Sequence, residues 1–283
     1  MSPIFSAPTT MPTQLPTQPP DYWPLFEAYH RVREPVYRTI IADARLPTPA
    51  RVLDAGCGDA FYSRLLVDAL ERQVRVIAVD HNAGLLQTEP GPGPSIQVCL
   101  SDLERIGLRR QTLDVIWSCR AMHSARDPVR RLAALAPLLR PGGKFIVVEN
   151  DLAHCPILSW PAEFEDRVRT ALHQYLRSQC PDGASIERYH AARHLPAWLE
   201  RAGLTHVSIH TYPVEDVAPM PRAVEAYWVL AMGYLGKLIG PHLSDADRWA
   251  YTRAFDPQSP DYLLNRPGFY CLEPLTVGCG TAR

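Results

Sequence analysis

The residues best suited to chemistry sit at the ends of apolar runs. Arg51-Val52-Leu53-Asp54-Ala55-Gly56-Cys57-Gly58-Asp59-Ala60 joins a hydrophobic strand to an acid and then to two glycines one residue apart. Glycine has no Cβ, so the chain can turn sharply there and a flat ligand can approach the backbone. Open α/β sheets place nucleotide-like cofactors at such strand–turn–helix junctions. A tightly packed junction without a ligand looks the same, so the glycine pair alone leaves both readings open. A second run, Val74-Arg75-Val76-Ile77-Ala78-Val79-Asp80, ends in an acid about 20 residues further on, where a carboxylate can accept both hydroxyl hydrogens of an adenosine ribose.

A dinucleotide does not fit this turn. The fingerprint G-x-G-x-x-G/A needs a small third residue, and the register puts Phe61 there. Asp59 would also set a carboxylate where the pyrophosphate has to sit.

Further strand and helix signals must position these residues. Ile96 to Leu100 precedes Ser101-Asp102-Leu103, and Leu113 to Ser118 precedes Cys119-Arg120-Ala121-Met122-His123. Leu138 to Glu149 reads as a helix end, a Pro141-Gly142-Gly143 turn and a fifth strand, with helical stretches at Phe61 to Glu71 and Pro128 to Leu139. Alternation at this pitch implies a parallel sheet with helices on both faces.

With these pieces in this order, the chain resembles the class I S-adenosylmethionine-dependent methyltransferases over roughly residues 25–280. It is most similar to the small-molecule branch typified by quinone-biosynthesis methyltransferases. The motif acid-x-Gly-x-Gly is Asp54 to Gly58, the ribose-binding acid corresponds to Asp80, and the adenine-side acid to Asp102 with Leu103 beside it. The late apolar-Leu-Arg-Pro-Gly-Gly motif is intact at Leu138 to Gly143, while Ala60 stands where many members carry a third glycine.

The resemblance implies a doubly wound, Rossmann-like α/β fold. Its seven-stranded, mostly parallel sheet would have an antiparallel last strand, inserted between strands five and six. A helical N-terminal segment and a helical cap inserted late in the chain would complete it. S-adenosylmethionine is the implied cofactor, held by Asp54, Gly56, Gly58, Asp80, His81, Asp102, Leu103, Ser118 and Cys119.

That cofactor carries an activated methyl on a sulfonium, so the protein supplies orientation and electrostatics for an in-line displacement. An acceptor that must lose a proton needs a positioned base. In the family the loop after the fourth strand faces the methyl, which makes His123 the candidate catalytic residue; a histidine that only packs under the loop is the competing reading. His154 and Asp151, after strand five, and Tyr227, in the cap, are candidate substrate contacts. The cluster Tyr189-His190 and His194, at a helix start, is a weaker candidate, and no metal is expected, because Asp151 and His154 are only two ligands from one loop.

Residues 1–20, rich in Pro and Thr, read as a disordered tail, and 21–283 as a single methyltransferase domain with cap elements at about 151–203 and 213–267. Tyr22 to Ala44 reads as an aromatic helix that in the family covers the cofactor, with Tyr29 or Arg38 able to touch it. Helices are expected at Ala162 to Ser178, Ala191 to Arg201 and Arg222 to Ile239, and a sixth strand at Thr205 to Thr211. Within the cap helix, Trp228 and Met232 read as core face, while Tyr227 and Tyr234 stay open between core and lining. The last strand, Gly268 to Cys279, contains Pro274, which by itself fits an edge position or a bulge.

Composition narrows the partners. A chain of 283 residues suits one elaborated domain. A net charge of −1 provides no basic field for nucleic acid or acidic membrane. Seven cysteines without paired metal spacing suit a reducing cytoplasm, and the N-terminus lacks a signal-peptide pattern. The longest apolar stretch, Tyr227 to Ile239, is too short for membrane insertion. The expectation is a cytoplasmic enzyme, compatible with a homo-oligomer. It would methylate a small-molecule acceptor, an apolar or aromatic secondary metabolite of natural-product type. The alternatives are a protein of the same fold that binds S-adenosylmethionine for a cyclisation or elimination, and a nicotinamide oxidoreductase, which Phe61 disfavours.

Overall fold

The computed structural model describes residues 20–71, 73–86, 94–154, 156–180 and 184–283, so the tail expected over residues 1–20 lies outside the described residues except for Pro20. Five parallel strands run in the order β3-β2-β1-β4-β5, formed by β1 (Ala50–Ala55), β2 (Val74–Asp80), β3 (Ile96–Leu100), β4 (Leu113–Cys119) and β5 (Leu139–Glu149). Their near-continuous apolar runs are what burial on both faces demands. Alternate residues face opposite ways. Val52, Val115 and Ile146 face one side with Tyr37 and Ile40 of α1 (Trp23–Asp43) and Leu65 and Leu66 of α2 (Phe61–Ala69). Leu53, Ile116 and Val147 face the other, with Leu132 and Leu135 of α4 (Pro128–Leu135) and Trp198 and Leu199 of α6 (Ala191–Arg201). A one-turn helix, α3 (Ala83–Leu86), follows β2.

The sheet continues in antiparallel sense. A two-residue strand, β6 (Ile157–Leu158), precedes β7 (Thr205–Val217) and the last strand, β8 (Tyr270–Thr281). β8 pairs with β5 on one side and with β7 on the other, and β6 also joins it near its start. The last strand is therefore interior, as the family resemblance implied, and of the two readings that Pro274 left open, an edge position or a bulge, the edge does not apply. The reason is local. The β5 pairing ends at Glu149↔Thr276, two residues before Pro274, and β6 begins only at Leu272. On its β7 side Pro274 stands opposite Pro213, where the missing N–H groups leave no ladder donor facing solvent.

Further elements differ from the sequence reading: β7 runs on to Val217 past the expected Thr211, and α4 stops at Leu135 before the expected Leu139. The Pro141-Gly142-Gly143 segment is part of β5, not a turn before it. The β4–β5 register jumps from Leu113↔Leu139 to Val115↔Lys144, which absorbs Arg140 to Gly143 as a bulge, with Gly142 at φ +77°. The helix α8 (Asp245–Phe255) was not anticipated, although Ser244 accepts the Asp247 amide as an N-cap, a signal readable in Ser244-Asp245-Ala246-Asp247. The helices α5 (Ala162–Ser178), α6 and α7 (Arg222–Ile239) keep the expected bounds. No described helix is long and apolar enough to cross a membrane.

Candidate functional site

The loop after β1 abuts the loop after β4. A Cβ on Gly56 would lie 2.5 Å from the Ala121 Cβ, and Gly56 has φ +82°, so glycine is required twice over. Two residues on, the Gly58 amide donates to Asp80 Oδ2 at 2.9 Å, and the Asn82 amide donates to Oδ1 at 2.9 Å. Backbone groups thus aim the Asp80 carboxylate while each oxygen keeps a second lone pair. Ala60 occupies the left-handed region at φ 60°, which explains why a glycine would be at ease there.

Asp59 answers the question of the phosphate position. It accepts the Phe61 amide at 3.1 Å and Arg64 at 3.1 Å, and lies 3.6 Å from His30 Nδ1. His30 in turn stacks on Phe61, with ring centroids 4.0 Å apart and planes 4° from parallel. The start of α2 is filled by the protein's own acid and covered by α1. Burial pushes the His30 pKa down, with Asp59 opposing.

Above this loop lies a cavity of about 960 Å³ at the C-terminal ends of β1, β2 and β4. Of the residues the sequence assigned to the cofactor, Gly56, Gly58, Asp80, His81, Asp102, Leu103 and Cys119 line it. Asp54 and Ser118 do not; both are fully buried beneath. Ser118 Oγ donates to the Ala55 carbonyl at 3.0 Å, and Asp54 Oδ2 accepts from Ser63 Oγ at 2.6 Å. Burial pushes the Asp54 carboxyl up to about 7, reinforced by the charges of Asp80 and Asp59 and opposed by Ser63. Burial also pushes the Cys119 thiol up to about 12, so it stays protonated and inert.

His123 lines the same cavity on a single 3₁₀ turn after β4. Its Nδ1 faces Glu149 Oε2 at 3.6 Å, a gap that a small ring movement would close to a hydrogen bond. Glu149 is wholly buried at the end of β5. Its Oε1 accepts the Met122 amide at 2.6 Å, which fixes the histidine's loop, and its Oε2 has no hydrogen-bond partner. The sequence reading missed Glu149, yet it repeats the strand-then-acid pattern that flagged Asp54 and Asp80.

A second polar group comes from the loops after β4 and β5 and from β8. Arg120 stacks over the Tyr29 ring at 4.3 Å and lies 3.7 Å from Glu273 Oε1; Tyr29, Arg120, Asn150 and Glu273 all line the cavity. None of Arg120, Asn150 and Glu273 carried a local sequence signal. From α7, Tyr227 and Tyr234 are lining residues; Trp228 and Met232 are buried in the core, as expected, and also reach the lining. Burial, then the Glu273 charge, pushes Tyr227 well above the ordinary phenol range, so it serves as a neutral hydroxyl. Arg38 lies on the surface, paired with Glu34 and Asp68. Asp151 and His154 lie outside the lining; they face each other, His190 and Arg193 instead.

Comparisons with known proteins agree with this geometry. A family model for a methyltransferase domain matches residues 53–147. The dimethylglycine N-methyltransferase of Parasynechococcus marenigrum is 31% identical over 166 residues, 56% of this chain and 53% of the relative. The demethylmenaquinone methyltransferase of Renibacterium salmoninarum is 26% identical over 114 residues, 40% of this chain and 47% of the relative. The chain thus spans about half the length of each of these two curated relatives. Among solved structures, phosphoethanolamine N-methyltransferase 2 of Haemonchus contortus superposes with a TM-score of 0.51 at 12% identity, covering 92% of this chain and 57% of that one, a likeness of fold. With the strand order, the glycine turn and the Asp80 carboxylate in place, residues 53–147 match a methyltransferase domain, and the fold around them is like that of the solved methyltransferase.

Proposed function

We propose that the protein transfers the methyl group of S-adenosylmethionine to a small, largely apolar or aromatic acceptor, with His123 as the base. The observation that carries this reading is the convergence of Asp80, Asp102 and His123 on one cavity from the ends of β2, β3 and β4. The cavity's 960 Å³ stands at the upper end of the range for small-molecule sites, leaving space for an acceptor beside a cofactor. The residues present fit the cofactor. Asp80 offers a backbone-aimed carboxylate for ribose hydroxyls, Leu103 an apolar surface for a ring, and Gly56 and Gly58 a close backbone approach. When bound, the cofactor supplies an electrophilic methyl group already activated for displacement.

The chain's own residues do the rest. With Nδ1 turned to Glu149, His123 has Nε2 left to take the proton of the acceptor's nucleophile, and Glu149 stabilises the imidazolium so formed. Tyr29, Tyr227, Trp228 and Met232 exclude water and present apolar area to the acceptor, and the Tyr227 hydroxyl can orient it. Two curated relatives named for small acceptors, dimethylglycine and demethylmenaquinone, support a small-molecule substrate over a macromolecule.

Two variants test the reading. Asp80→Ala should weaken S-adenosylmethionine binding by about 1–3 kcal/mol in calorimetry through lost charge-assisted hydrogen bonds. His123→Ala should lower turnover to S-adenosylhomocysteine about 10²-fold with cofactor affinity unchanged. An undiminished rate in the second variant would remove His123 as the base.

A further inference from the structure

Behind the cavity wall, the fold gathers side chains that lie far apart in sequence. Asp151 and His154 come from the loop after β5, His173 from α5, and His190 from the residue preceding α6. Asp151 Oδ1 lies 3.3 Å from His154 Nδ1 and 3.1 Å from His190 Nδ1, and a ligand atom from each of these three residues falls within 4.8 Å of the others. The His154 ring centroid is 5.4 Å from that of His173 and 5.3 Å from that of His190. His173 hydrogen-bonds to the Ala153 main chain, while its Nε2 is buried without a partner.

The polarity of this cluster calls for a cation. Arg193 donates to Asp151 Oδ2 at 2.6 Å and reaches His154 Nδ1 at 3.1 Å. A guanidinium only donates, so His154 Nδ1 meets it with a lone pair. That lone pair and the Asp151 Oδ1 lone pairs then face each other at 3.3 Å, compensated at present by the half-exposed Arg193 and by His190, whose Nδ1 lies 3.1 Å from the same oxygen. Ligand atoms held about 2.0–2.2 Å from a tetrahedral zinc stand about 3.3–3.6 Å apart, close to the 3.3 and 3.1 Å that separate Asp151 Oδ1 from the His154 and His190 nitrogens.

We propose that Asp151, His154 and His190 form a zinc site in which the metal takes the place of the Arg193 side chain, with His173, whose ring nitrogens stand outside this close group, swinging in as the fourth ligand. The ligand set is nitrogen and oxygen, which suits Zn²⁺ over Mg²⁺ or Ca²⁺. The His173 bond to the Ala153 main chain is the kind of contact that fixes a ligating imidazole in one tautomer. The role is structural. None of the four ligands lines the cavity, but their neighbours Asn150, Leu152 and Leu172 do, so the metal would tie one wall of the cavity together from behind.

The test uses untagged full-length protein, stripped with a chelator and titrated with Co²⁺ and with Zn²⁺ against a chromogenic competitor. The expected result is one equivalent bound, with the strong visible absorption of tetrahedral Co²⁺ and a Tm raised on the order of 5 °C by saturating Zn²⁺. Affinity should fall at least about 100-fold in His154→Ala and in His190→Ala. Arg193→Gln keeps every ligand and removes the competing cation, so it should bind Zn²⁺ about 10-fold more tightly. Less than one equivalent in the wild-type protein, binding that survives in the double variant His154→Ala/His190→Ala, or any response of Arg193→Gln other than tightening overturns the site.

Discussion

Replacing Arg33 with methionine should cost about 3–5 kcal/mol of stability, the penalty for stranding buried carboxylates without their cation. Arg33 is 2% exposed and leaves α1 to bind two acids at once. It holds Asp216 of β7 through two bonds of 3.2 and 2.6 Å, and Glu273 of β8 through Nε at 3.1 Å. Its guanidinium also lies 5.0 Å above Tyr227 and 5.6 Å above Trp228, and Trp228 Nε1 donates to the same Asp216 at 2.7 Å. One side chain therefore joins the leading helix, the two antiparallel strands and the cap helix. Burial alone would lower the Arg33 pKa; the hydrogen bonds with Asp216 and the Glu273 charge outweigh it and raise it.

Methionine keeps most of the packed volume, so the loss is electrostatic. Asp216 would keep only Trp228, and Glu273 only a 3.4 Å contact from Asn150 and the more distant Arg120. Equilibrium unfolding in urea measures the cost. A companion variant that also carries Asp216→Asn and Glu273→Gln should recover much of it, because the stranded charges are gone. A loss below about 1 kcal/mol for Arg33→Met would mean that the three groups behave as an exposed pair.

This knot shows where sequence reading stops. Its members are 183 and 240 positions apart, and no local pattern links an arginine in an amphipathic helix to acids in strands near the C-terminus. The cofactor side was legible because its residues lie at or just after the ends of successive strands. An apolar run stopping at an acid or a glycine turn marks a C-terminal strand end, and parallel strands bring those ends together; Gly56, Gly58 and Asp80 were read from that pattern, Asp102 and His123 from the family resemblance, and all five share one cavity. Glu149 obeys the same rule and was readable. Asp151 and His154 were assigned to the pocket because their loop reaches it. Their direction is set by His190 and Arg193, 39 and 42 residues beyond Asp151. Pro274 misled about strand placement because an edge can be local: a strand may be interior along most of its length and still unpaired on one side for a few residues.

Asp54 makes the second large prediction, one of pH. Its carboxyl titrates near 7 in the folded protein against an ordinary value of 3.8, because it is fully buried, with the charges of Asp80 and Asp59 adding to the effect. Only Oδ2 is hydrogen-bonded, to Ser63, and Oδ1 has no partner, so the neutral acid suits the site better than the anion. Below about pH 4 the folded and unfolded chains both hold this proton, and its contribution to stability is present in full. As pH rises the unfolded chain releases the proton first, so the contribution is lost progressively until the folded state also titrates near 7. The window carries up to about 4 kcal/mol. Asp54→Asn has no proton to lose and retains an oxygen for the Ser63 hydroxyl. Its stability relative to the wild-type chain should therefore grow between about pH 4 and pH 7 and then level off, as followed by urea unfolding of both proteins in parallel. A difference that stays constant with pH would show that Asp54 ionises normally beneath the glycine turn.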